Sequence, residues 1–431
     1  MRRHQAVLLL KSAAFGCGLV LIWFWGVAGV RHLAANVLAS YLLLWGAGFA
    51  LSTAPRAQLK ASFLMTTLSL ALTVFILEGL ALVQLVDYRK ILGAQHKFAW
   101  LSAGNRYDEE LLFKRDPGLV LERVRYRGNI AEKWCLPAEG PPLTVELSYD
   151  DHGFRNAETL SRADLAMIGD SYIEAVQTAW ESTLPRLLAA ATGWTVANLG
   201  ISGYGPQQEL AVLERYALPL DPKVIVWAFY EGNDLANLLE YEELRSRIGS
   251  DLPSAPSLFD RSLSKNLLNT LYRRLKSCEP SPKAQAHSGT FRGPDDRDVR
   301  LYFVDRSDSM SPWEQIALAR FESILTLAQQ KAAARGVRLI LLFVPTKLRV
   351  FREYVRFPDD SVYLRWTPND LPARLEAMAS KLSPPIEFLD LTWAFRSATA
   401  QGELVYLAND SHWTPEGHRI AAAALADLLI P

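Results

Sequence analysis

From about residue 160 to the end, apolar runs alternate with amphipathic, helix-like stretches, and no other feature restricts the fold of this chain as strongly. The runs stand at positions 163–169, 194–200, 223–230, 337–345 and 386–392. Strands that are apolar on both faces are typical of a parallel sheet covered by helices on each side. The sequence therefore predicts an α/β domain over residues 151–431.

The first ninety residues differ in character from the rest of the chain. Long apolar runs occupy positions 12–30, 33–55 and 61–86. Each reaches or approaches the roughly 20 residues that cross a bilayer as a helix. A removable signal peptide is the alternative for the first run, but the run is long for one and two more follow. We therefore predict a membrane anchor of three transmembrane helices over residues 1–90.

Basic residues flank these runs unequally. In a three-span arrangement one side carries Arg2, Arg3, Lys11, Arg56 and Lys60, and the other carries Arg31, Arg89 and Lys90. Because the side richer in Lys and Arg stays in the cytoplasm, we expect the N-terminus to be cytoplasmic. We also expect a multi-pass protein of the cell inner membrane. Residues beyond 90 then lie on the periplasmic or extracellular side.

Glu78 lies inside the third apolar run, where a carboxylate is costly. It is expected to be protonated, to pair with a partner subunit, or to share polar groups with the other helices of the bundle. A membrane partner subunit is therefore one of the expected partners.

Charge and cysteine content exclude several classes of protein. The 46 basic residues balance the 46 acidic ones, so there is no electrostatic basis for binding nucleic acid. Three cysteines are too few for a disulfide scaffold or a zinc ribbon. Cys17 lies in an apolar run, whereas Cys135 and Cys278 could pair in an oxidising compartment.

Two regions lie outside the α/β pattern. Residues 91–150 hold short alternating pieces broken by Gly and Pro, which predicts a small β-rich lead-in. Residues 235–313 are rich in Ser, Pro, Arg and Asp and interrupt the pattern. An insertion of this length usually shapes a site or is partly disordered.

Four short blocks carry the candidate chemistry. "GDS" with Ser171 follows the first strand, "ISG" with Gly203 the second, and "GND" with Asn233 the third. These steps of about thirty residues fit successive βαβ units, whose strand ends lie at one edge of the sheet. Asp410 and His412 precede the last helix. Each block alone has an ordinary interpretation as a cap, a turn or a loop residue.

Together and in this order, the blocks resemble those of the SGNH/GDSL hydrolase superfamily. The resemblance implies a three-layer α/β/α, flavodoxin-like parallel sheet after the membrane region. It implies Ser171 as nucleophile, His412 as general base and Asp410 as the residue that orients His412. The oxyanion would be bound by the backbone N–H groups of Ser171 and Gly203 and by the Asn233 amide.

The sequence departs from the superfamily pattern at two points. Tyr172 stands where the GDSL motif has Leu, which we expect to be harmless because that side chain packs rather than reacts. The last block reads Asp-x-His, from Asp410 to His412, instead of the common Asp-x-x-His. The shorter spacing, with Trp413 after it, is similar to the alginate acetyltransferase-like branch.

The function that the resemblance implies is a membrane-anchored serine esterase. It would hydrolyse acyl esters, expected to be O-acetyl esters of a cell-surface carbohydrate, through an acyl-serine intermediate. We expect an acylated carbohydrate or small ester as substrate, and neither cofactor nor metal. The alternatives are a polysaccharide O-acetyltransferase with the same triad and a non-catalytic scaffold for polysaccharide assembly. A metal site on Asp410, His412 and His418 lacks evident further ligands, and His418 is expected to be exposed or structurally bonded.

Overall fold

A computed structural model of the chain describes residues 57–94, 96, 98–136, 143–249, 252–275, 281, 283–293, 296–304 and 308–430. Its α-helices are α1 (Ala57–Leu82), α2 (Tyr88–Leu92), α3 (Asn129–Trp134), α4 (Ser171–Glu174), α5 (Leu184–Thr192), α6 (Pro206–Val212), α7 (Asp234–Arg247), α8 (Leu263–Leu275), α9 (Lys283–Ala286), α10 (Pro312–Ala333), α11 (Lys347–Phe351), α12 (Leu371–Lys381), α13 (Thr392–Ala400) and α14 (Pro415–Leu429).

The strands are β1 (Asn105–Asp108), β2 (Leu112–Arg115), β3 (Val120–Tyr126), β4 (Leu143–Ser148), β5 (Leu165–Gly169), β6 (Val196–Gly200), β7 (Val224–Tyr230), β8 (Ser288–Arg292), β9 (Asp298–Tyr302), β10 (Arg338–Val344), β11 (Val355–Arg356) and β12 (Glu387–Asp390). Short 3₁₀ turns lie at Ala99–Leu101, Trp180–Ser182, Leu218–Leu220 and Phe259–Arg261, and a π-helical turn at Leu213–Ala217 follows α6.

The chain divides into two units. The first comprises Met1–Asn105 with Pro253–Ser277, and the second comprises Arg106–Leu252 with Cys278–Pro431. These bounds differ from the ranges expected from the sequence. The expected lead-in begins in the first unit and continues in the second, and the expected insertion at 235–313 contributes to both.

In the first unit, α1 covers most of the third predicted span. The predicted spans at 12–30 and 33–55 lie outside the described residues. Over the part of the chain that the structure describes, no helix has both the length and the apolar character needed to cross a membrane.

The carboxylate of Glu78 on α1 binds the start of α8 in the same unit. Its oxygens accept hydrogen bonds from the backbone N–H groups of Leu263 at 3.2 Å and Ser264 at 2.6 Å. The first N–H groups of a helix have no partner inside that helix, and a carboxylate there also complements the helix dipole. Glu78 therefore meets backbone donors of its own chain.

The second unit is built on a five-stranded sheet in the order β12-β10-β7-β5-β6, in which every neighbouring pair is parallel. This is the flavodoxin-like order, in which the chain winds out from β5 in both directions. All five strands lie within the apolar runs that predicted them. The predicted parallel, flavodoxin-like sheet is confirmed.

Alternate residues of the central strand β7 pack on opposite faces of the sheet, as the period of a strand requires. Val226 and Ala228 belong to a buried cluster that includes Leu188 of α5. On the other face, the rings of Trp227 and Phe229 lie 6.0 and 4.7 Å from the ring of Phe321 on α10. Helices therefore cover both faces of the sheet, and the predicted three-layer arrangement is confirmed.

Outside the main sheet, β3 and β4 form an antiparallel pair ahead of β5. A further antiparallel sheet, in the order β11-β8-β9, comes from the region expected as an insertion and from the segment after α11.

Candidate active site

Ser171 is the first residue of α4 and follows Gly169, the last residue of β5, by two positions. Gly169 has φ +155°, and a Cβ there would lie 2.8 Å from Cγ1 of Ile173 and 3.1 Å from Cβ of Ala228. The Asp170 side chain then caps the helix by accepting from the backbone N–H of Tyr172 at 2.9 Å. A tight glycine turn and a capped helix thus fix Ser171 at the carboxyl edge of the sheet.

Three predicted residues are joined in series at this edge. The Ser171 hydroxyl lies 2.8 Å from Nε2 of His412, and Nδ1 of His412 lies 2.6 Å from Oδ1 of Asp410. Because a carboxylate only accepts, Nδ1 carries the ring proton and Nε2 is left to accept the proton of the serine hydroxyl. The order of groups is the one that activates a serine for attack on an ester.

The Asp410 side chain is fully buried and held at both oxygens. Its Oδ2 accepts from the Tyr126 hydroxyl at 2.6 Å and from the backbone N–H of Asn129 at 2.5 Å. Burial alone would raise the pKa of Asp410, but the charge of His412 and the hydrogen bonds from His412, Tyr126 and Asn129 lower it to about 2. Asp410 is therefore ionised at neutral pH.

Tyr126 at the end of β3 and Asn129 at the start of α3 were not found by sequence reasoning. The Asn129 side chain also binds Ser411, accepting from its backbone N–H at 3.0 Å and donating to its hydroxyl at 2.6 Å. Both residues come from the region expected as a separate lead-in. Neither belongs to a motif, so the sequence carries no signal that points to them.

Glu174 on α4 links the first block to the second. Its buried carboxylate accepts from Arg115 at 2.8 and 2.9 Å, from Tyr149 at 2.8 Å, and from the backbone N–H of Ser202 at 2.6 Å. Burial would raise the pKa of Glu174, but the charge and hydrogen bonds of Arg115, with those of Ser202, lower it to about 2. This ion pair holds the loop before Gly203 against the helix that begins with Ser171.

Gly203 has φ +85°, a conformation that favours glycine. It follows Ser202, the residue bound by Glu174, but it does not line the cleft around Ser171. Among the described residues, no acceptor binds the backbone N–H of Gly203 or that of Ser171. Both groups remain available as donors.

Asn233 immediately precedes α7. Its Nδ2 lies 3.3 Å from Oδ2 of Asp170, and the same oxygen lies 3.3 Å from the hydroxyl of Ser171. Its buried Oδ1 has no hydrogen-bond partner within the described ranges. The structure thus brings Asn233 beside the nucleophile through the carboxyl group of Asp170.

A cleft of about 230 Å³ opens over these groups. Ser171, Asn233 and His412 line it. The other lining residues are Asn129, Ile130, Lys133, Tyr230, Val304 and Ser411. The cleft is large enough to admit a small acyl group to the serine hydroxyl.

Tyr172 does more than pack. It is buried, and its hydroxyl donates to the backbone carbonyl of Ser411 at 2.6 Å. Its ring lies 5.1 Å from that of His412 and 4.9 Å from that of Trp413. The residue after the nucleophile therefore also fixes the loop that carries the histidine.

His418 is fully buried and makes structural bonds, which was one of the two expectations for it. Its Nδ1 accepts from the backbone N–H of Leu184 at 3.2 Å, and its Nε2 lies 3.2 Å from the hydroxyl of Thr178. Burial lowers the pKa of His418 to about 3, so the ring is neutral. In the described part of the chain, no three His, Cys, Asp or Glu side chains are grouped to hold a metal ion.

A flavodoxin-like sheet with serine, histidine and aspartate in series at its carboxyl edge is the arrangement that the resemblance to the SGNH superfamily implies. Residues 302–430 match a family described as "SGNH hydrolase-like domain, acetyltransferase AlgX". The predicted resemblance to the SGNH superfamily, and to its alginate acetyltransferase-like branch, is confirmed by this match.

Two curated relatives are each named "Probable alginate O-acetylase AlgJ". The protein from Pseudomonas fluorescens is 34% identical over 98 residues, which are 23% of each chain. The protein from Pseudomonas putida is 36% identical over 93 residues, covering 21% of this chain and 22% of its own. The matched stretch therefore spans less than a quarter of either relative.

Among solved structures, the chain is similar to a catalytic mutant of Axe2, an acetylxylan esterase from Geobacillus stearothermophilus. The identity is 15% and the TM-score 0.32, and the match covers 62% of this chain and 94% of the other.

Proposed function

We propose that this chain transfers acetyl groups from an ester donor to a hydroxyl group of a polysaccharide through an acyl-Ser171 intermediate. The observation that carries the proposal is the series Ser171–His412–Asp410, of which Ser171 and His412 line a cleft and Asp410 is buried behind His412. The names of the family and relatives, acetyltransferase and alginate O-acetylase, favour a carbohydrate hydroxyl as acceptor. Water is the acceptor in the hydrolase expected from the sequence, and it remains the second candidate.

In the first step, the Ser171 hydroxyl attacks the ester carbonyl while His412 Nε2 takes its proton. The tetrahedral intermediate collapses, the bond to the leaving oxygen breaks, and His412 returns the proton to that oxygen. Ionised Asp410 keeps the ring in the required tautomer and stabilises the imidazolium that forms. The acetyl group is now an ester of Ser171.

In the second step, an acceptor hydroxyl takes the place of the leaving alcohol. His412 removes its proton, the oxygen attacks the acyl-serine, and Ser171 leaves with the proton that His412 held. Hydrolysis and transfer share all of these residues and differ only in the acceptor. A transferase must therefore orient a sugar hydroxyl and keep water from the ester.

Asn233→Ala tests the proposed oxyanion site. The amide would donate to an oxygen that bears charge only in the transition state, so the variant should lose roughly 10²–10³-fold in kcat while KM stays unchanged. Steady-state kinetics with a small acetyl ester measure both constants. A change confined to KM would make Asn233 a residue that positions substrate instead.

Competition between water and a sugar distinguishes transfer from hydrolysis. The full-length protein in detergent is given 4-nitrophenyl acetate as donor, with and without an oligosaccharide acceptor. We expect acetylated oligosaccharide by mass spectrometry, with donor consumed faster than free acetate appears. Acetate that always equals the donor consumed, with no acetylated sugar, would make the protein a hydrolase. Ser171→Ala measures the background reaction.

We further propose that the protein is membrane-anchored with its catalytic unit outside the cytoplasm. Three apolar runs in the sequence support an anchor, and the apolar side chains of Leu68, Leu72 and Phe75 on α1 are exposed. Cys135 is disulfide-bonded, and disulfides persist in oxidising compartments. Cys278, the residue with which Cys135 could pair, lies outside the described residues.

Reporter fusions after residue 120 test the number of spans. Three spans with a cytoplasmic N-terminus place this point outside, so a reporter active only in the periplasm should be active there. A cytoplasm-only reporter that is active at the same point would mean that an even number of spans precedes residue 120.

A further inference from the structure

Lys347, the first residue of α11, points a buried ammonium at the loop that carries Asp410 and His412. Its Nζ donates to the backbone carbonyls of Leu407 at 2.6 Å and Ala408 at 2.8 Å, and lies 3.2 Å from the carbonyl of Asp410. A further bond of 3.0 Å reaches the carbonyl of Tyr302 at the end of β9. The side chain is only 4% exposed.

These contacts use all the donors of an ammonium group, which has three N–H bonds. Burying a cation is costly unless its hydrogen bonds are made, and here every close acceptor is a backbone carbonyl. The ring of Phe303 lies 5.5 Å from Nζ and adds a cation–π contact. Such an arrangement stabilises one conformation of the backbone that supplies the carbonyls.

That backbone belongs to residues 407–412, which we name the histidine loop. Inside it, the backbone N–H of Leu407 donates to the carbonyl of His412 at 3.0 Å, and that of Asp410 to the carbonyl of Leu407 at 3.4 Å. The loop is therefore a short closed turn whose carbonyls face Lys347. Its position decides where the imidazole stands relative to Ser171.

We propose that Lys347 is a positioning residue, which binds the histidine loop so that His412 meets both Asp410 and Ser171. The proposal rests on the proposed function, because it gives Lys347 a part in the same site. Lys347 does not line the cleft around Ser171, so it acts through His412.

Charge links Lys347 to the site as well. Burial lowers the pKa of Lys347 to about 7, and the negative charge of Asp410 acts against this shift. The carboxylate that orients His412 therefore also favours the ammonium form that binds the loop.

The test compares Lys347→Met with Gln329→Met in the full-length protein. Gln329 on α10 is also 4% exposed and donates to a backbone carbonyl, that of Pro384 at 2.7 Å, but it has no contact with the histidine loop. Both variants remove a buried side-chain donor to carbonyls. Thermal unfolding reports the structural cost, and steady-state kinetics with 4-nitrophenyl acetate give kcat and KM.

We expect Lys347→Met to lower kcat about 100-fold at unchanged KM, as a displacement of about 1 Å at a catalytic group does. The downfield proton resonance of His412 Nδ1, which reports its bond to Asp410, should shift or disappear. Gln329→Met should keep the kcat and the resonance of the wild type. Lys347→Arg, which retains the charge and donors, should recover part of the loss.

A folded Lys347→Met protein with wild-type kcat and resonance would overturn the proposal, and so would an equal loss in Gln329→Met. If Lys347→Met does not fold, Lys347→Arg decides, because a folded Arg variant without the resonance contradicts the positioning role. Wild-type protein with no activity would overturn the proposed function alone, since the resonance still reports on Lys347.

Discussion

Ser171→Ala should abolish both the turnover of acetyl esters and labelling by a fluorophosphonate. Removing the hydroxyl leaves His412 with no nucleophile to activate. A water molecule cannot replace the serine hydroxyl, because it cannot form a covalent acyl-enzyme. Loss of the nucleophile in a serine enzyme costs roughly 10⁶-fold in kcat. Labelling should fall to background, because the reagent bonds only to an activated serine.

Ser246→Ala is the matched control. Ser246 lies on the exposed side of α7 and its hydroxyl donates to the carbonyl of Glu243 at 2.8 Å, so the variant changes a helical serine without touching the cleft. It should label and turn over like the wild type. Labelling that persists in Ser171→Ala would leave Ser171 as the first residue of a capped helix and remove it from the mechanism.

The sheet could be predicted because its signal is local. Continuous apolar runs are dictated by burial on both faces, and each run from Leu165–Gly169 to Glu387–Asp390 became a parallel strand. The motif positions follow from the same logic, since side chains placed just after successive strands meet at one edge. Ser171 and Asn233 come together there for that reason.

The groups that support the site could not be predicted in this way. Tyr126 and Asp410 are separated by 284 positions, and Lys347 and Asp410 by 63. Neither donor has a spacing or a neighbour that distinguishes it from an ordinary tyrosine or lysine. Their contribution arises only when β3 and α11 are placed against the histidine loop, which is a property of tertiary packing.

The division of the chain into two units could not be predicted from the order of segments along the sequence either. Residues 235–313 were expected to form one insertion, yet Pro253–Ser277 belongs to the first unit with Glu78. The contact that joins them is a helix start capped by Glu78. A sequence pattern cannot indicate this contact, because the acceptor and the donors are about 185 positions apart.

Asp410→Asn should lower kcat by about 10⁴-fold while the protein still folds. Asn matches Asp in shape, but one of its two oxygens becomes an NH₂ group. All four groups around Asp410 are donors: Nδ1 and the backbone N–H of His412 at one oxygen, and Tyr126 and Asn129 at the other. In either orientation of the Asn amide, its NH₂ group would therefore face two of these four donors without an acceptor between them.

If the amide NH₂ faces His412, the ring is driven to the tautomer with its proton on Nε2, and it can no longer accept the proton of Ser171. If the NH₂ faces Tyr126 and Asn129, the correct tautomer survives, but the negative charge that stabilises the imidazolium is gone. In both orientations the variant therefore stabilises the transition state less, whereas its binding of the substrate is unaffected. The loss should fall on kcat, with KM unchanged.

A pH series separates the charge of Asp410 from its shape. The pKa of about 2 in the folded protein lies below the ordinary value near 4. Ionised Asp410 therefore stabilises the fold above about pH 4, and this contribution is lost as the pH falls through about 2. Between these values the free energy of unfolding should fall more steeply in the wild type than in Asp410→Asn.

Tyr126→Phe tests whether the fixed position of the Asp410 carboxylate contributes to kcat as much as its negative charge does. It removes one of the two donors to Oδ2 but leaves the charge and the bond to His412 intact, so the pKa of Asp410 should rise while most of kcat remains. If Tyr126→Phe loses as much kcat as Asp410→Asn, the fixed position of the carboxylate matters more than its charge. If Asp410→Asn retains wild-type kcat, His412 is oriented by other groups, and the role proposed for Asp410 is wrong.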